Sequence, residues 1–272
     1  MAPILRLLAV LAHPDDESLG LGGTLARYGG EGVETFVITA TRGDRGRFKG
    51  IPPGSPGHPG SAALAEIRER ELRAAARELG VRELSILGYG DGVLDQVDSR
   101  EAITTVAGHM RRIRPQVVLT FGPEGAYGHP DHIAIGQFAT AAIVVAADPE
   151  WASPERPHAV SKLYCMAATQ REWDAYQESF KKLVSVVDGV EREAHPWPDW
   201  AVTTQIDTRE QWPQVWRAVS CHESQIGGYA KLNDLPPALH EAIWGGQTYY
   251  RIFSTVNGGR DRETDLFEGL RD

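Results

Sequence analysis

Apolar and polar positions in the first half of the chain alternate between short apolar runs and longer segments of helical composition. The predicted strands cover residues 5–12, 33–40, 83–87 and 116–121. The predicted helices that follow them cover residues 19–28, 62–79, 99–113 and 132–147, and Ser99 is the expected N-cap of the third. The strands lack clean polar alternation, as strands covered on both faces do. This pattern predicts an α/β fold with a mostly parallel sheet flanked by helices.

The second half is less regular and predicts an extension of strands and one helix. Strands are expected at residues 162–168, 202–206 and 248–254, and the helix at 210–222. A Gly- and Pro-rich stretch, residues 45–61, predicts a long loop. The polar tail, residues 257–272, is expected to lie on the surface or fray. We predict a single domain, residues 1–272, in which residues 1–147 form the core and residues 148–272 complete the sheet and pocket.

Composition and charge exclude several classes of partner. The 272 residues are 42% apolar and 24% charged, with a net charge of −9, which disfavours nucleic acid as a partner. Without a run of eighteen apolar residues, no integral membrane segment is expected. The apolar start of the chain is predicted to be a strand and not a signal peptide. Two isolated cysteines, Cys165 and Cys221, make no disulfide framework and predict a cytoplasmic location.

Two clusters of histidine and acidic residues follow predicted strands. The stretch AHPDDESLG, residues 12–20, follows the first strand, and GPEGAYGHPDH, residues 122–132, follows the fourth. Ligands of open parallel sheets bind beyond the carboxyl ends of the strands, so the fold brings both clusters to one edge. The sequence therefore predicts one site built from both clusters.

A divalent metal is the simplest reason to gather these groups. His13, Asp16 and His132 form a set typical of catalytic zinc, which takes three protein ligands and keeps one position for water. Asp15 is then left as a general base. Acids in a first helical turn also stabilise the helix dipole, but that alternative explains neither His13 nor the second cluster. Glycines at 20, 22 and 23 match a dinucleotide loop poorly, because the acidic cluster occupies the first βα turn.

The paired motifs AHPDDESLG and GHPDH resemble the PIG-L or LmbE-like family of N-acetylglucosaminyl-phosphatidylinositol de-N-acetylases. Residues 218–225, AVSCHESQ, are similar to a late segment of the same family. The resemblance implies a Rossmann-like fold and a divalent metal, usually Zn²⁺, with Fe²⁺ or another divalent cation as the alternative. It also implies removal of an acetyl group from the nitrogen of an amino sugar, or cleavage of a related amide.

The resemblance implies roles for the residues of the two motifs. Asp15 resembles the base that deprotonates the metal-bound water. His129 resembles the histidine that acts as general acid or polarises the oxyanion. Asp131 looks like the partner that orients His129 and raises its pKa, although it could also cap the following helix. The residues that resemble the metal ligands are His13, Asp16 and His132.

Further residues resemble the substrate contacts of the family. Tyr127 matches a tyrosine that contacts the substrate carbonyl in some members, although loop packing would also explain it. Arg68 and Asp91 resemble sugar-binding residues. Arg42 and Asp44 lie in a rim segment that matches less sharply.

The sequence favours a zinc-dependent deacetylase of an N-acetylglucosamine-type, small-molecule substrate. The main alternative is an amidase of a thiol-sugar conjugate or natural-product amide with the same metal site. A non-haem iron oxygenase is disfavoured by the βα pattern, and a sugar-binding protein without activity by the intact motifs. The group attached to the sugar, the oligomeric state (a homo-oligomer is one option), the metal used in the cell, and the roles of Glu17 and of the loop 45–61 stay open.

Overall fold

The computed structural model of the protein describes residues 4–179, 184–187, 189–226, 232 and 234–271. Nine strands are formed by these residues. They are β1 (Arg6–Leu11), β2 (Glu34–Thr41), β3 (Glu83–Tyr89), β4 (Val117–Thr120), β5 (Lys162–Met166), β6 (Val184–Val187), β7 (Val190–Glu193), β8 (Thr204–Asp207) and β9 (Gly246–Ser254).

Ten α-helices lie among the same residues. They are α1 (Asp16–Leu19), α2 (Gly22–Gly30), α3 (Ser61–Glu78), α4 (Ser99–Ile113), α5 (Gly125–Gly128), α6 (Pro130–Ala147), α7 (Gln170–Ser179), α8 (Trp212–Ser220), α9 (Glu223–Ile226) and α10 (Pro237–Trp244). The predicted helix 19–28 is therefore two helices, α1 and α2, separated by Gly20 and Leu21.

Seven strands form one sheet in the order β3-β2-β1-β4-β5-β9-β8. The first five are parallel, whereas β9 runs antiparallel to both of its neighbours. The chain leaves β1 toward β2 on one side and returns through β4 on the other. This change of direction between β1 and β4 is the topological switch point of a Rossmann-like sheet. The predicted mostly parallel α/β fold is confirmed.

The centre of the sheet is excluded from solvent because β1 and β4 are covered on both faces. Leu7 to Leu11 and Val117 to Leu119 are fully buried. Helix α6 packs on these strands and against α4. By length and composition α6 is apolar enough to cross a membrane, but 56% of it is buried inside the protein, as in a core helix. It also carries the polar side chains of Asp131 and His132, both buried.

One expectation about a helix end is wrong. The cap of α4 is Asp98, not Ser99, because the Asp98 carboxylate accepts the backbone N–H groups of Arg100 and Glu101. The tail, described as far as residue 271, lies mostly on the surface, which is one of the two expected alternatives. It is anchored there by Leu266 and Phe267, which are fully buried, and by Glu263, which is 3% exposed.

The C-terminal half contains elements that the sequence did not predict. Helix α7, the β6–β7 hairpin and helix α10 are absent from the predicted pattern. The hairpin packs against the second His/Asp cluster, where the Ser185 hydroxyl donates to the Tyr127 carbonyl. The loop 45–61 is confirmed as irregular, with one bridge between Phe48 and Ile51.

Candidate active site

The site lies beyond the carboxyl ends of β1 and β4, at the switch point of the sheet. The turn after β1 carries His13, Asp15 and Asp16, and the segment after β4 leads through α5 to His129 and His132. A cavity of about 470 Å³ opens there, and residues of both clusters line it. This is the edge at which open parallel sheets bind ligands.

Two imidazole nitrogens and the two oxygens of one carboxylate lie close together beside the cavity. His13 Nδ1 lies 3.2 Å from His132 Nε2 and 3.8 Å from an oxygen of Asp16, and His132 Nε2 lies 3.5 Å from the other Asp16 oxygen. Ligand atoms about 2.0–2.1 Å from a tetrahedral metal lie roughly 3.3 Å from one another. The spacing of the predicted ligand set therefore fits a divalent metal ion.

The tautomers of the two histidines fit the same ion. Nε2 of His13 donates to Asp131 at 3.1 Å and faces Asp91 at 3.2 Å, which leaves a lone pair on Nδ1. Nδ1 of His132 donates to the Gly125 carbonyl, which leaves a lone pair on Nε2. Two lone pairs 3.2 Å apart repel each other unless a cation or proton lies between them.

The charge of the site points the same way. Burial alone would lower the pKa of His13, but hydrogen bonds to Asp131 and Asp91 and the charge of Asp16 raise it to about 10. The surrounding carboxylates therefore favour positive charge at this position, whether it is a proton or a metal ion.

The structure differs from the sequence-based expectation at Asp131. Its carboxylate contacts His13, and it also accepts the backbone N–H groups of Gly92 and Leu94 at 2.7 and 2.9 Å. Its backbone N–H, not its carboxylate, orients His129 by donating to Nδ1 at 3.2 Å. The Asp131 carboxylate therefore contacts the predicted metal ligand His13. Its charge raises the pKa of His129 as expected, but burial and the charge of His13 lower that pKa by more.

Other donors lie close to the same centre. His13, His129 and His132 form one group with ligand atoms within 4.8 Å of one another, and His13, Asp91 and Asp131 form a second. The second group already uses its atoms in hydrogen bonds: Asp131 accepts two backbone N–H groups, and Asp91 accepts that of Arg45. In the predicted set, Asp16 Oδ2 also accepts two backbone N–H groups, those of Ala12 and His13, whereas Asp16 Oδ1 lies 3.5 Å from His132 Nε2. That oxygen and the two imidazole lone pairs make His13, Asp16 and His132 a candidate donor set.

Asp15 lines the cavity beside these donors in an unusual backbone conformation. Its φ of 99° and ψ of −23° lie in the left-handed region, which is uncommon for residues other than glycine. Arg68 Nη2 lies 3.2 Å from its carboxylate and also donates to the Pro14 carbonyl. Burial raises the pKa of Asp15, while the positive charge of Arg68 opposes that shift. A carboxylate with these properties suits proton transfer.

The four predicted sugar contacts fall into two groups. Arg68 and Asp91 line the cavity, but their polar atoms mainly bind the protein itself. Arg42 and Asp44 are not among the described residues that line it, and the Arg42 guanidinium pairs with Glu69 at 3.2 Å. Arg45, from the same segment, reaches the cavity instead.

Tyr127 and His129 form the wall contributed by the second cluster. The ring of Tyr127 lies edge-on to His129, with centroids 5.9 Å apart. Because Nδ1 of His129 accepts a backbone N–H, the proton of the neutral ring sits on Nε2. Burial, followed by the charge of His13, lowers the pKa of His129 to about 4. His129 is therefore arranged as a neutral hydrogen-bond donor.

Sequence reasoning missed the buried partner of Glu17 and the cavity wall formed by α7. Glu17 is fully buried and pairs with His222, 205 positions away, at 2.8 Å. Helix α7 supplies Glu172, Trp173 and Tyr176 to the opposite wall. The only sequence signal for His222 was its place in the late segment CHESQ, and nothing in the pattern pointed to α7.

Comparison with known proteins agrees with this fold. The profile of the PIG-L family, described as GlcNAc-PI de-N-acetylase, matches residues 8–143. A protein of Kineococcus radiotolerans named 1D-myo-inositol 2-acetamido-2-deoxy-alpha-D-glucopyranoside deacetylase is 34% identical over 97% of this chain and 83% of its own.

Two solved structures share the fold at low sequence identity. The N,N'-diacetylchitobiose deacetylase of Pyrococcus horikoshii has a TM-score of 0.66 at 20% identity, and covers 91% of this chain and 83% of its own. GalB of Pseudomonas putida, a 4-carboxy-2-hydroxymuconate hydratase, has a TM-score of 0.68 at 19% identity, and covers 94% of this chain and 99% of its own. Since one is a deacetylase and the other a hydratase, the fold alone does not decide the reaction.

The sheet, its switch-point cavity and the His/Asp donor set define a Rossmann-like hydrolase site suited to a divalent metal. The chain belongs to the PIG-L family of de-N-acetylases. The family and the enzyme class expected from the two motifs, an N-deacetylase, are thereby confirmed.

Proposed function

We propose that the protein is a zinc-dependent deacetylase that removes the acetyl group from an N-acetylglucosamine-type sugar linked to a polyol such as inositol. The observation that carries the proposal is the triangle of donors from His13, Asp16 and His132 beside the carboxylate of Asp15. Relatives 30–34% identical over nearly the whole chain, named as deacetylases of an inositol-linked acetamido sugar, support this substrate class.

An acetamide is a poor electrophile, so its hydrolysis needs both an activated water and a polarised carbonyl. His13, Asp16 and His132 would hold the ion, and two histidines with one carboxylate are typical ligands of catalytic zinc. A divalent ion held there supplies Lewis acidity, which lowers the pKa of a water and polarises a carbonyl. Metal analysis of the purified protein distinguishes Zn²⁺ from Fe²⁺.

Asp15 moves the proton. Its carboxylate lines the cavity and takes a proton from the attacking water. Burial raises the pKa of Asp15, which suits it to hold that proton and return it to the departing amine. Arg68 holds the carboxylate in place during both transfers.

His129 and Tyr127 stabilise the oxyanion that forms during the attack. His129 carries its proton on Nε2, the atom not occupied by the Asp131 N–H. The resemblance left open whether His129 is an acid or an oxyanion donor, and its tautomer supports the second role. One preorganised donor of this kind is worth roughly 3–4 kcal/mol in the transition state.

The wall opposite the catalytic groups is suited to the group that the amino sugar carries. Trp173 and Tyr176 line it with their rings edge-on to each other, centroids 6.0 Å apart, and Gln247 and Thr248 also line it. Aromatic faces stack on the C–H faces of sugar and cyclitol rings, while a few polar groups fix their orientation.

The location in the cell is proposed on a separate ground. Both cysteines are unpaired, Cys165 buried and Cys221 partly so. This arrangement supports a reducing compartment such as the cytoplasm.

A substrate panel tests the proposed function. Metal-loaded protein is incubated with inositol-linked N-acetylglucosamine, free N-acetylglucosamine and the amide of a thiol-sugar conjugate, and free amine is measured. We expect the highest kcat/KM with the inositol-linked sugar. Turnover confined to the thiol-sugar amide would favour the amidase alternative, and release of no amine from any of them would refute the proposal.

A further inference from the structure

Behind the catalytic turn lies a buried acid–histidine pair. The side chain of Glu17 is fully buried and that of His222 is 3% exposed. His222 Nε2 lies 2.8 Å from Glu17 Oε1. His222 comes from the connection between α8 and α9, so the contact joins the C-terminal half of the chain to the turn after β1.

The second oxygen of Glu17 reaches the catalytic base. Glu17 Oε2 accepts the backbone N–H of Asp15 at 3.0 Å, while Oε1 is taken by His222 and the Ser18 hydroxyl. The two oxygens of one carboxylate thus link His222 to Asp15. Arg68 holds Asp15 from the other side, through its carboxylate and the Pro14 carbonyl.

Asp15 needs such support because its backbone conformation is costly. A residue other than glycine in the left-handed region persists only where its surroundings determine it. Clamping the N–H of Asp15 from one side and its carboxylate from the other fixes the direction of the side chain.

Stability alone is a poor reason to keep this pair. Ionised groups lose much hydration on burial, and well-packed apolar residues are often as stabilising as a buried ion pair. In this pair the second oxygen of Glu17 accepts the backbone N–H of the catalytic base, so the pair can orient that base. Outer contacts that orient the groups of an active site commonly affect activity as strongly as direct ligands.

We propose that His222 and Glu17 are positioning residues that hold Asp15 in its strained, proton-accepting orientation. His222 fixes the Glu17 carboxylate, and Glu17 fixes the N–H of Asp15. The inference rests on the proposed function, in which Asp15 moves the proton. Neither residue touches the reacting atoms, so their loss should slow proton transfer and leave the binding of substrate and metal intact.

The test compares four variants of the metal-loaded, full-length protein: His222→Ala, His222→Gln, Glu17→Gln and His158→Ala. His158 is the matched control, since it is also a buried histidine and its Nε2 binds the Pro115 carbonyl. We measure kcat, KM, bound metal, melting temperature, and hydrogen exchange of peptides covering residues 12–20.

We expect His222→Ala to lower kcat roughly 10–100-fold with KM and bound metal nearly unchanged. Exchange at the amide of Asp15 should become faster. His222→Gln should recover part of the rate, because its side-chain amide can still donate to Glu17. His158→Ala should lower the melting temperature only. If His222→Ala does not fold, His222→Gln and Glu17→Gln are compared with the wild type instead. Both should then show a lower kcat and faster exchange at the amide of Asp15.

A wild-type kcat in folded His222→Ala, or in His222→Gln and Glu17→Gln where His222→Ala does not fold, would overturn the inference. A loss of kcat fully explained by loss of bound metal would overturn it too. The same loss of kcat in His158→Ala would show a general effect of instability. If wild-type protein itself releases no amine, the proposed function fails. Unchanged exchange at Asp15 in the Glu17 and His222 variants then separately rejects the positioning role.

Discussion

At the residue scale, four side chains within residues 13–17 point in different directions because the backbone turns sharply at Asp15. His13 and Asp16 point to the shared donor site, Asp15 points to Arg68, and Glu17 turns inward to His222. The candidate ligands and the candidate base could be named from sequence, and the structure brings them together, since their chemistry is local to two motifs. The role of Glu17 could not, because its partner lies 205 positions away.

The contact of the Asp131 carboxylate with His13, and not with His129, leads to a prediction about metal affinity. Asp131→Asn replaces a carboxylate that accepts from His13 Nε2 and two backbone N–H groups with an amide that accepts less well. We expect the Kd for the metal, measured by competition with a chelator, to rise roughly 10–100-fold.

Asp98→Asn is the control for this change, because it also removes an acid beside a helix N-terminus and asparagine caps equally well. Its metal affinity should match that of the wild type. Unchanged affinity in Asp131→Asn with a large loss of kcat would instead support the original expectation that Asp131 acts through His129.

At the scale of elements, prediction succeeded where apolar runs are long and buried. Strands β1, β2 and β4 and helices α3, α4 and α6 lie within a few residues of their predicted bounds. Helix α7 was missed because its sequence, QREWDAYQES, is polar and resembles a surface loop. The anchor of the tail could not be predicted for a related reason: it includes a buried acid, and sequence alone predicts that an acid is exposed.

The anchor of the tail gives a prediction about stability. Glu263 accepts hydrogen bonds from Lys162, Tyr164 and Thr204 in the interior, and Lys162 is fully buried. Glu263→Gln leaves that cation without its partner charge. We expect a loss of about 3–5 kcal/mol in the free energy of unfolding, measured by chemical denaturation.

The same residue predicts a pH dependence. Burial alone would raise the pKa of Glu263, but hydrogen bonds from Asn257, Lys162 and other donors lower it to about 2. Because the folded pKa lies below the unfolded value of about 4.3, this contribution is present above that value and is lost as the pH falls toward 2. In Glu263→Gln the free energy of unfolding should lack this part of its dependence on acid pH. Glu268 is an exposed acid of the tail, so Glu268→Gln should keep it. An equal acid dependence in wild type and Glu263→Gln would contradict the assignment.

At the scale of the whole molecule, the fold separates the candidate metal donors from much of the opposite cavity wall. The donors lie within the first half of the chain, in the Rossmann-like part that the sequence pattern predicted. The second half adds β9 and β8 to the sheet and supplies α7, Gln247 and His222 to the site and its support. A hydratase shares this architecture, so the reaction is decided by the side chains at the switch point.

The central claim is that three ligands hold the metal while Asp15 stays off it and transfers the proton. The most direct test is the turnover rate of Asp15→Asn, with bound metal quantified in the same sample. We expect about one divalent ion per chain, as in the wild type, and a kcat lower by roughly 10²–10⁴-fold. A variant that releases the ion, or that turns over at the wild-type rate with the ion bound, would contradict the account.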